Sequence, residues 1–406
     1  MRVLTLTNTY PPHYYGGYEL TCHDVMRRFA ERGHDVAVLT STVRVPGVDD
    51  ADEPGVTRSL HAYWDWERNG PLLPRNPLAR LRVEQHNLAE LEAAVARARP
   101  DVVSVWHMGG LSLSLLTSLE ARRLPMVLTV ANEWMLRAVA LDGWSRLWRW
   151  TPLTPRSVAG VPTRLPRLAS AQLNFVSEFT KRLTETASLP WPVRDAPVVS
   201  PGIDGHDFPL RAAEPLRSWG WRILYVGRID RPKGVETLVR AFALLPPEAR
   251  LELVGGGDVG YQRHLLALAD ELGVADRLSM GAAPRHQLRQ RYVDSDVVVF
   301  PSEWDEPFGL VPLEAMACAR PVVATTRGGS AEFLRDEENC LTFPAADPDA
   351  LARAVTRLAD RPELRRTLVE HGPQTASRYT ADRYADELLR LHERLAAANG
   401  SARDNG

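Results

Sequence analysis

Two carboxylates, Glu306 and Glu314, stand with seven residues between them around the turn Pro307-Phe308-Gly309-Leu310. The apolar run Asp296 to Phe300 predicts a strand before the turn, and Val311 to Ala317 predicts a helix after it. The turn then lies at the carboxyl end of a strand and the amino end of a helix, where parallel α/β sheets bind ligands. A helix opening offers amide N–H groups and a positive dipole end, which suit a phosphate, and carboxylates accept hydrogen bonds from hydroxyls. A ligand with both sugar hydroxyls and phosphate satisfies every group present, so the stretch reads as a nucleotide-sugar site.

Gly227-Arg228-Ile229-Asp230-Arg231-Pro232-Lys233-Gly234 follows the strand-like run Arg222 to Val226 and precedes helical spacing. Arg228 and Lys233 are therefore expected at a strand end, facing the same cleft as the two glutamates. Paired cations there neutralise a pyrophosphate and the charge that grows as a bond to it breaks. Taken alone they are equally two solvated surface charges; the two-glutamate turn favours function. In the first half, the strand Arg2 to Asn8 leads into a loop bearing Gly16-Gly17, where backbone can approach an anion closely. The strand Asp101 to Trp106 delivers His107 beside Gly109 and Gly110, although a lone histidine is more often structural. Gly255-Gly256-Gly257-Asp258-Val259-Gly260 formally matches a dinucleotide fingerprint. It lies in mid-domain, and three consecutive glycines satisfy almost any glycine pattern, so we read it as a tight turn.

The elements that must position these residues fall into two series of strands alternating with helices. The first comprises Arg2 to Asn8, Asp35 to Thr40, Asp101 to Trp106, Met126 to Val130 and Gln172 to Val176. After a proline-punctuated linker, Pro190 to Pro209, the alternation restarts with Arg222 to Val226, Arg250 to Val254, Asp296 to Phe300 and Pro321 to Thr325. That pattern predicts an α/β chain of two doubly wound parallel-sheet domains, 1–200 and 201–380, facing a central cleft. An amphipathic helix over 381–397 is expected to pack back on the first domain, followed by a disordered polar tail. Val43 to Pro77 reads as loose, with Trp64 and Trp66 exposed. Arg137 to Arg167 sets six arginines against one acid, Asp142, with Trp144, Trp148 and Trp150 between them. The tryptophan and arginine region from Trp134 to Arg167 has three readings: a carbohydrate platform, a contact with an anionic membrane surface, or a solvated helix with aromatic core anchors. The last asks least of it and is preferred.

Composition limits the function classes. The 406 residues are 44% apolar and 25% charged with a net charge of -2, which gives no support to nucleic-acid binding. Cys22, Cys318 and Cys340 follow no metal or redox spacing, and no apolar stretch is long enough for a signal core or a membrane span. A cytoplasmic protein is expected, with peripheral contact at the inner face of a membrane left open. Oligomeric state is not legible.

Together these residues resemble glycosyltransferase family 4. The resemblance runs through Tyr10-Pro11-Pro12 with Gly16-Gly17, Phe175-Val176-Ser177-Glu178, Pro201-Gly202-Ile203-Asp204, Gly227-Arg228 with Lys233-Gly234, and Pro301-Ser302. It continues through Glu306-Pro307-Phe308-Gly309, Leu313-Glu314-Ala315-Met316-Ala317, Pro321 to Thr325, and Gly328-Gly329 with Glu332. It implies the GT-B fold and transfer of a sugar from a nucleoside-diphosphate sugar to an acceptor hydroxyl. It further implies retained anomeric configuration, no cofactor beyond the donor substrate and no obligatory metal. Residues 1–200 would then be the acceptor side and 201–380 the donor-binding domain. By the resemblance, Glu314 holds the ribose, Glu306 the sugar hydroxyls, and Arg228 and Lys233 the diphosphate. The amides of Phe308, Gly309 and Leu310 would support sugar and phosphate, Gly16 and Gly17 would approach the diphosphate, and His107 would contact the donor sugar near the reacting carbon.

Some positions depart from the family pattern. Pro201 replaces a frequent asparagine, Ala319 and Cys340 frequent glycines, and Ala131 a frequent second histidine. The last departure leaves the acceptor, whether natural product, glycan or lipid-linked, unassigned. Two other functions share the donor residues: a GT-B nucleotide-sugar epimerase, and a non-catalytic nucleotide-sugar-binding protein.

Overall fold

The computed structural model describes residues 1–49, 53–65, 70–71, 76–148, 155–187, 189, 191, 193–211 and 218–404. The chain forms two compact units, Met1–Val199 with Tyr384–Gly406, and Ser200–Arg383. Trp66, Trp150 and Pro190, singled out above, lie outside the described residues.

In chain order the first unit begins with β1 (Arg2–Leu6), α1 (Gly17–Glu31), β2 (Asp35–Ser41), β3 (Val56–Leu60) and a small hairpin of β4 (Trp64–Asp65) and β5 (Gly70–Pro71). It continues with α2 (Pro77–Ala98), β6 (Val102–Val105), α3 (Ser114–Ala121), β7 (Met126–Val130), α4 (Trp134–Leu141) and α5 (Ser145–Trp148). A second hairpin, β8 (Ser157–Val158) and β9 (Val161–Pro162), precedes β10 (Ala171–Phe175) and α6 (Glu178–Thr186). Six strands form one parallel sheet in the order β10-β7-β6-β1-β2-β3. Its central strands are Val- and Leu-rich and buried along their whole length, as strands covered on both faces must be.

The second unit carries β11 (Arg222–Val226), α7 (Val235–Ala243), β12 (Arg250–Val254), α8 (Val259–Glu271), β13 (Leu278–Gly281), α9 (Arg285–Asp294) and β14 (Val297–Phe300). Then follow α10 (Val311–Ala317), β15 (Val322–Ala324), β16 (Leu341–Thr342), α11 (Pro348–Asp360) and α12 (Pro362–Ala376). Its sheet is also parallel and six-stranded, in the order β13-β12-β11-β14-β15-β16. The last helix, α13 (Ala381–Asp404), is longer than the expected 381–397, and the four residues Ser401–Asp404 continue it in place of a disordered tail. Its Tyr384, Ala385, Leu388 and Leu391 join Val3, Cys22, Met26 and Phe29 in one buried cluster of the first unit.

Both sheets reverse their winding beside their first strand. In the first unit the chain steps outward from β1 to β2 and β3, then returns to β6, so the switch point lies between β1 and β6. In the second it lies between β11 and β14. Ligands of open α/β sheets bind at such points, outside the carboxyl ends of the strands.

Two expectations need correction. The segment read as loose from Val43 to Pro77 contains β3, which extends the sheet beside β2. Trp64 is half-buried and not exposed. Trp134 and Trp144 are core residues, 3% and 1% exposed, and the indole N–H of Trp144 donates to the Pro162 carbonyl at 2.6 Å. They are aromatic anchors of the first unit and not a surface platform.

Candidate active site

At the second unit's switch point, β11 ends in Gly227–Lys233 and β14 ends in Pro301–Glu306. These two loops are joined by backbone. The amides of Glu303 and Trp304 both donate to the Pro232 carbonyl, at 2.9 and 3.0 Å, and the Thr237 hydroxyl donates to Glu303 Oε1 at 2.6 Å. Gly234 closes the first loop with φ of 67°, and a Cβ there would sit 2.0 Å from the Pro301 carbonyl oxygen. Only glycine meets both the left-handed backbone and the close approach.

That junction fixes Lys233. Its Nζ lies 4.7 Å from the centroid of the Trp304 ring and donates to Glu306 Oε1 at 2.7 Å. The same oxygen accepts from the Ser302 hydroxyl at 2.7 Å, and Thr325 Oγ1 donates to the Ser302 carbonyl at 2.6 Å. Glu306 is 5% exposed and thus a charge removed from water, but paired and doubly hydrogen-bonded. Arg228 lies half exposed, its Nε donating to Asp230 Oδ2 at 2.6 Å, while the Tyr225 hydroxyl donates to its carbonyl at 2.5 Å.

Glu314, on α10, is buried and accepts from the Tyr292 hydroxyl at 2.7 Å, with Arg285 Nη1 3.8 Å from its other oxygen. Burial pushes its carboxyl above the ordinary value, with Arg285 and the Tyr292 bond opposing the rise. Arg285 is itself held by Asp207 Oδ2 at 2.7 Å. Between the two glutamates, the amides of Phe308, Gly309 and Leu310 donate to no acceptor among the described residues. The Phe308 ring is buried against Phe333 and Tyr379, which anchors the turn.

The glycine run 255–257 supports the Arg228 loop. A Cβ at Gly255 would fall 1.8 Å from the Gly227 carbonyl oxygen, and one at Gly257 2.4 Å from that of Ile229. The Ile229 amide donates to Gly256, and the Asp258 amide to Asp230 Oδ1. Gly255 and Gly257 are explained by packing of one loop on another, whereas a Cβ at Gly256 would meet nothing within 4 Å.

At the first unit's switch point, His107 follows β6 and is 8% exposed. The Asn8 amide, after β1, donates to its carbonyl at 2.7 Å, and Asn8 Nδ2 donates to the Gly109 carbonyl at 3.2 Å. Gly16 and Gly17 open α1. Neither has a positive φ, and a Cβ on Gly17 would meet nothing within 4 Å. In contrast to Gly255 and Gly257, packing among the described residues does not require glycine at 17.

Thus the structure gathers Lys233 and Glu306 into direct contact, sets Glu314 and the amides of Phe308 to Leu310 along the same turn and helix, and places His107 at the switch point of the other unit's sheet. Sequence reasoning missed Ser302, Trp304, Tyr292 and Arg285. Ser302 and Trp304 lie inside the opening stretch and could have been suspected from proximity. Tyr292 and Arg285 sit on a helix whose pattern gives no sign that they turn toward Glu314. Among the described residues, no group of three or more His, Cys, Asp or Glu could hold a metal ion.

Residues 209–375 match the family model of glycosyl transferases group 1, and residues 15–205 that of glycosyltransferase family 4. A D-inositol 3-phosphate glycosyltransferase of Saccharomonospora viridis is 37% identical over 223 residues, a match spanning 50% of this chain and 51% of that protein. The protein of the same description from Acidothermus cellulolyticus is 30% identical over 411 residues, covering 95% of this chain and 87% of the relative. Among solved structures, a sucrose-phosphate synthase from Thermosynechococcus elongatus superposes with a TM-score of 0.70 at 22% identity, covering 98% of this chain and 100% of that one. With the two parallel sheets, their switch-point residues and a relative alike over almost its whole length, the chain belongs to glycosyltransferase family 4 and is a glycosyltransferase of the GT-B fold.

Proposed function

We propose that the protein moves a sugar from a nucleoside-diphosphate sugar to an acceptor hydroxyl, keeps the anomeric configuration and needs no metal. The observation that carries this reading is the Lys233–Glu306 contact at the second unit's switch point, beside the turn whose amides donate to no acceptor among the described residues. Cation, carboxylate and amide donors set side by side suit a ligand with adjacent phosphate and hydroxyl groups. Arg228 and Lys233 hold the diphosphate, Glu306 accepts from sugar hydroxyls, and Glu314 accepts from the ribose. Gly16, Gly17 and His107 are the first unit's share, the glycines admitting a phosphate and the histidine touching the sugar. The open space at Gly17 supports this, because an approaching anion gives the absent side chain a reason.

The leaving diphosphate is a stable anion, and the barrier lies in positive charge developing at the sugar carbon and ring oxygen. Arg228, Lys233 and the amides of the turn stabilise the charge that moves to the leaving group. Each such preorganised donor contributes on the order of 3 kcal/mol in the transition state, about two decades in rate. The same groups do the work of a metal, so transfer is expected to survive a chelator. Neither glutamate is a good nucleophile, since Glu306 is already paired with Lys233 and Ser302, and Glu314 with Tyr292. Attack from the face the diphosphate leaves therefore fits better than a covalent glycosyl intermediate.

The test is a panel of nucleotide sugars screened for thermal stabilisation, followed by assay of nucleoside diphosphate released with and without acceptors, D-inositol 3-phosphate among them. Stabilisation by one donor, with release that depends on acceptor and persists in chelator, is expected. Acceptor-independent interconversion of the sugar would favour an epimerase, and stabilisation without turnover a binding protein.

A further inference from the structure

The first unit contains a carboxylate to which the proposed reaction assigns no role. Glu19, in the first turn of α1, is 4% exposed. Gly16, which precedes the helix, has no side chain with which to cap it, and Glu19 reaches back so that its Oε2 accepts the Gly16 amide at 3.1 Å. Its other oxygen, Oε1, lies 3.4 Å from His107 Nδ1.

The opposite side of the imidazole is set by Asn132. The Trp134 amide donates to Asn132 Oδ1 at 2.8 Å, which fixes the orientation of that side-chain amide. Its Nδ2, a donor only, is then the atom 3.4 Å from His107 Nε2. A donor facing Nε2 requires a lone pair there, so in the neutral ring the proton is on Nδ1, toward Glu19.

We infer that Glu19 is a positioning residue: its carboxylate holds His107 as the Nδ1–H tautomer and ties the ring to the Gly16-Gly17 loop. One side chain thereby sets two of the first unit's contributions together. A carboxylate behind a histidine fixes both ring orientation and tautomer. The catalytic consequence rests on the role proposed above for His107, whereas the tautomer does not.

Two readouts separate these claims. The nitrogen-15 NMR spectrum of the protein, with the His107 signals identified by their loss in His107→Gln, reports the tautomer without any substrate. A protonated Nδ1 and a bare Nε2 are expected, and in Glu19→Gln, which keeps an acceptor for the Gly16 amide, the two tautomers are expected to mix. A protonated Nε2 beside a bare Nδ1 in the unaltered protein would overturn the assignment, as would identical His107 signals in Glu19→Gln. In transfer assays, Glu19→Gln should lower kcat by about tenfold or more with the donor KM nearly unchanged. In a His107→Gln background it should lower kcat no further. An unaltered kcat, or an equal loss in the His107→Gln background, contradicts positioning through His107. A protein with the expected tautomer and no transfer with any donor would leave Glu19 as the holder of the ring and remove the proposed reaction instead.

Discussion

Arg228 and Lys233 are often treated alike as cations, but their surroundings differ. Lys233 is spoken for by Glu306 and Trp304, whereas Arg228 is half exposed beside Asp230. In the proposed reaction both meet a diphosphate, and the cost of losing either should fall on turnover. Arg228→Ala is expected to lower kcat by about two decades with the thermal midpoint little changed; transfer near the unaltered rate would remove it from the leaving-group site. Glu314→Gln keeps the Tyr292 contact and loses a charge, so it should chiefly raise the donor KM, and an unchanged value argues against a ribose contact. The pair of glutamates was legible because their spacing around a strand-turn-helix is local. Glu19 was not, since an acid in a first helical turn is ordinary chemistry for a helix dipole and its partner His107 is eighty-eight positions away in the chain. Tyr292 and Arg285 were hidden for the same reason.

At the scale of elements, central strands were readable, whereas of the four edge strands only β10 was. β7 is fully buried, and β11 and β12 are mostly buried after an exposed first arginine; the sequence pattern recovers the bounds of all three. β3 is Val-Thr-Arg-Ser-Leu with only Leu60 fully buried, and β13 and β16 are four and two residues long. A strand paired on one side and partly solvated need not be apolar, so neither hydrophobic run nor alternation marks it. The preferred reading of the tryptophans in α4 and after it as core anchors holds: Trp134 and Trp144 are buried, and the Trp144 indole N–H donates to the Pro162 carbonyl. Loop contact, by contrast, gives a firm prediction. Gly234→Ala must accommodate a φ of 67° and a Cβ at 2.0 Å from the Pro301 oxygen. It should lower stability by about 1–3 kcal/mol in urea unfolding and weaken donor binding through Lys233. An unchanged midpoint contradicts the account of the loop junction.

At the scale of the molecule, one scheme occurs twice: a six-stranded parallel sheet that reverses between its first and fourth strands in the case of β11 and β14, and between β1 and β6 in the other, with the chemistry-bearing loops at each reversal. Strand-helix alternation predicted two doubly wound parallel sheets, but not the number of strands in each or their order. The return of α13 to the first unit adds a buried polar link that alternation does not reveal. The Trp106 indole N–H donates to Ser104 Oγ at 3.0 Å, Ser104 Oγ lies 2.9 Å from His392 Nε2, and His392 Nδ1 lies 2.7 Å from the Leu388 carbonyl. The carbonyl can only accept, so Nδ1 carries the proton, Nε2 accepts from Ser104, and the ring is neutral. Burial lowers its pKa from the ordinary 6.5 to about 4. Between those values the unfolded chain binds a proton that the folded chain refuses, so this stability is full above about pH 6.5 and declines as pH falls toward 4. The total is on the order of 3 kcal/mol. Unfolding measured at pH 7 and pH 4.5 should show a smaller acid loss in His392→Gln than in the unaltered protein, and equal losses contradict a neutral buried His392.

The central claim is that Lys233 meets the diphosphate of a nucleotide sugar, and the sequence allows a direct test because the chain has two lysines, Lys181 and Lys233. Both can be labelled with an amine-reactive reagent and followed separately by peptide mass spectrometry. With the nucleotide sugar that stabilises the protein present at saturation, labelling of Lys233 should fall by about tenfold while that of Lys181 stays constant, as expected of a site occupied by its ligand. Unchanged labelling of Lys233 under a donor that demonstrably binds would contradict the account.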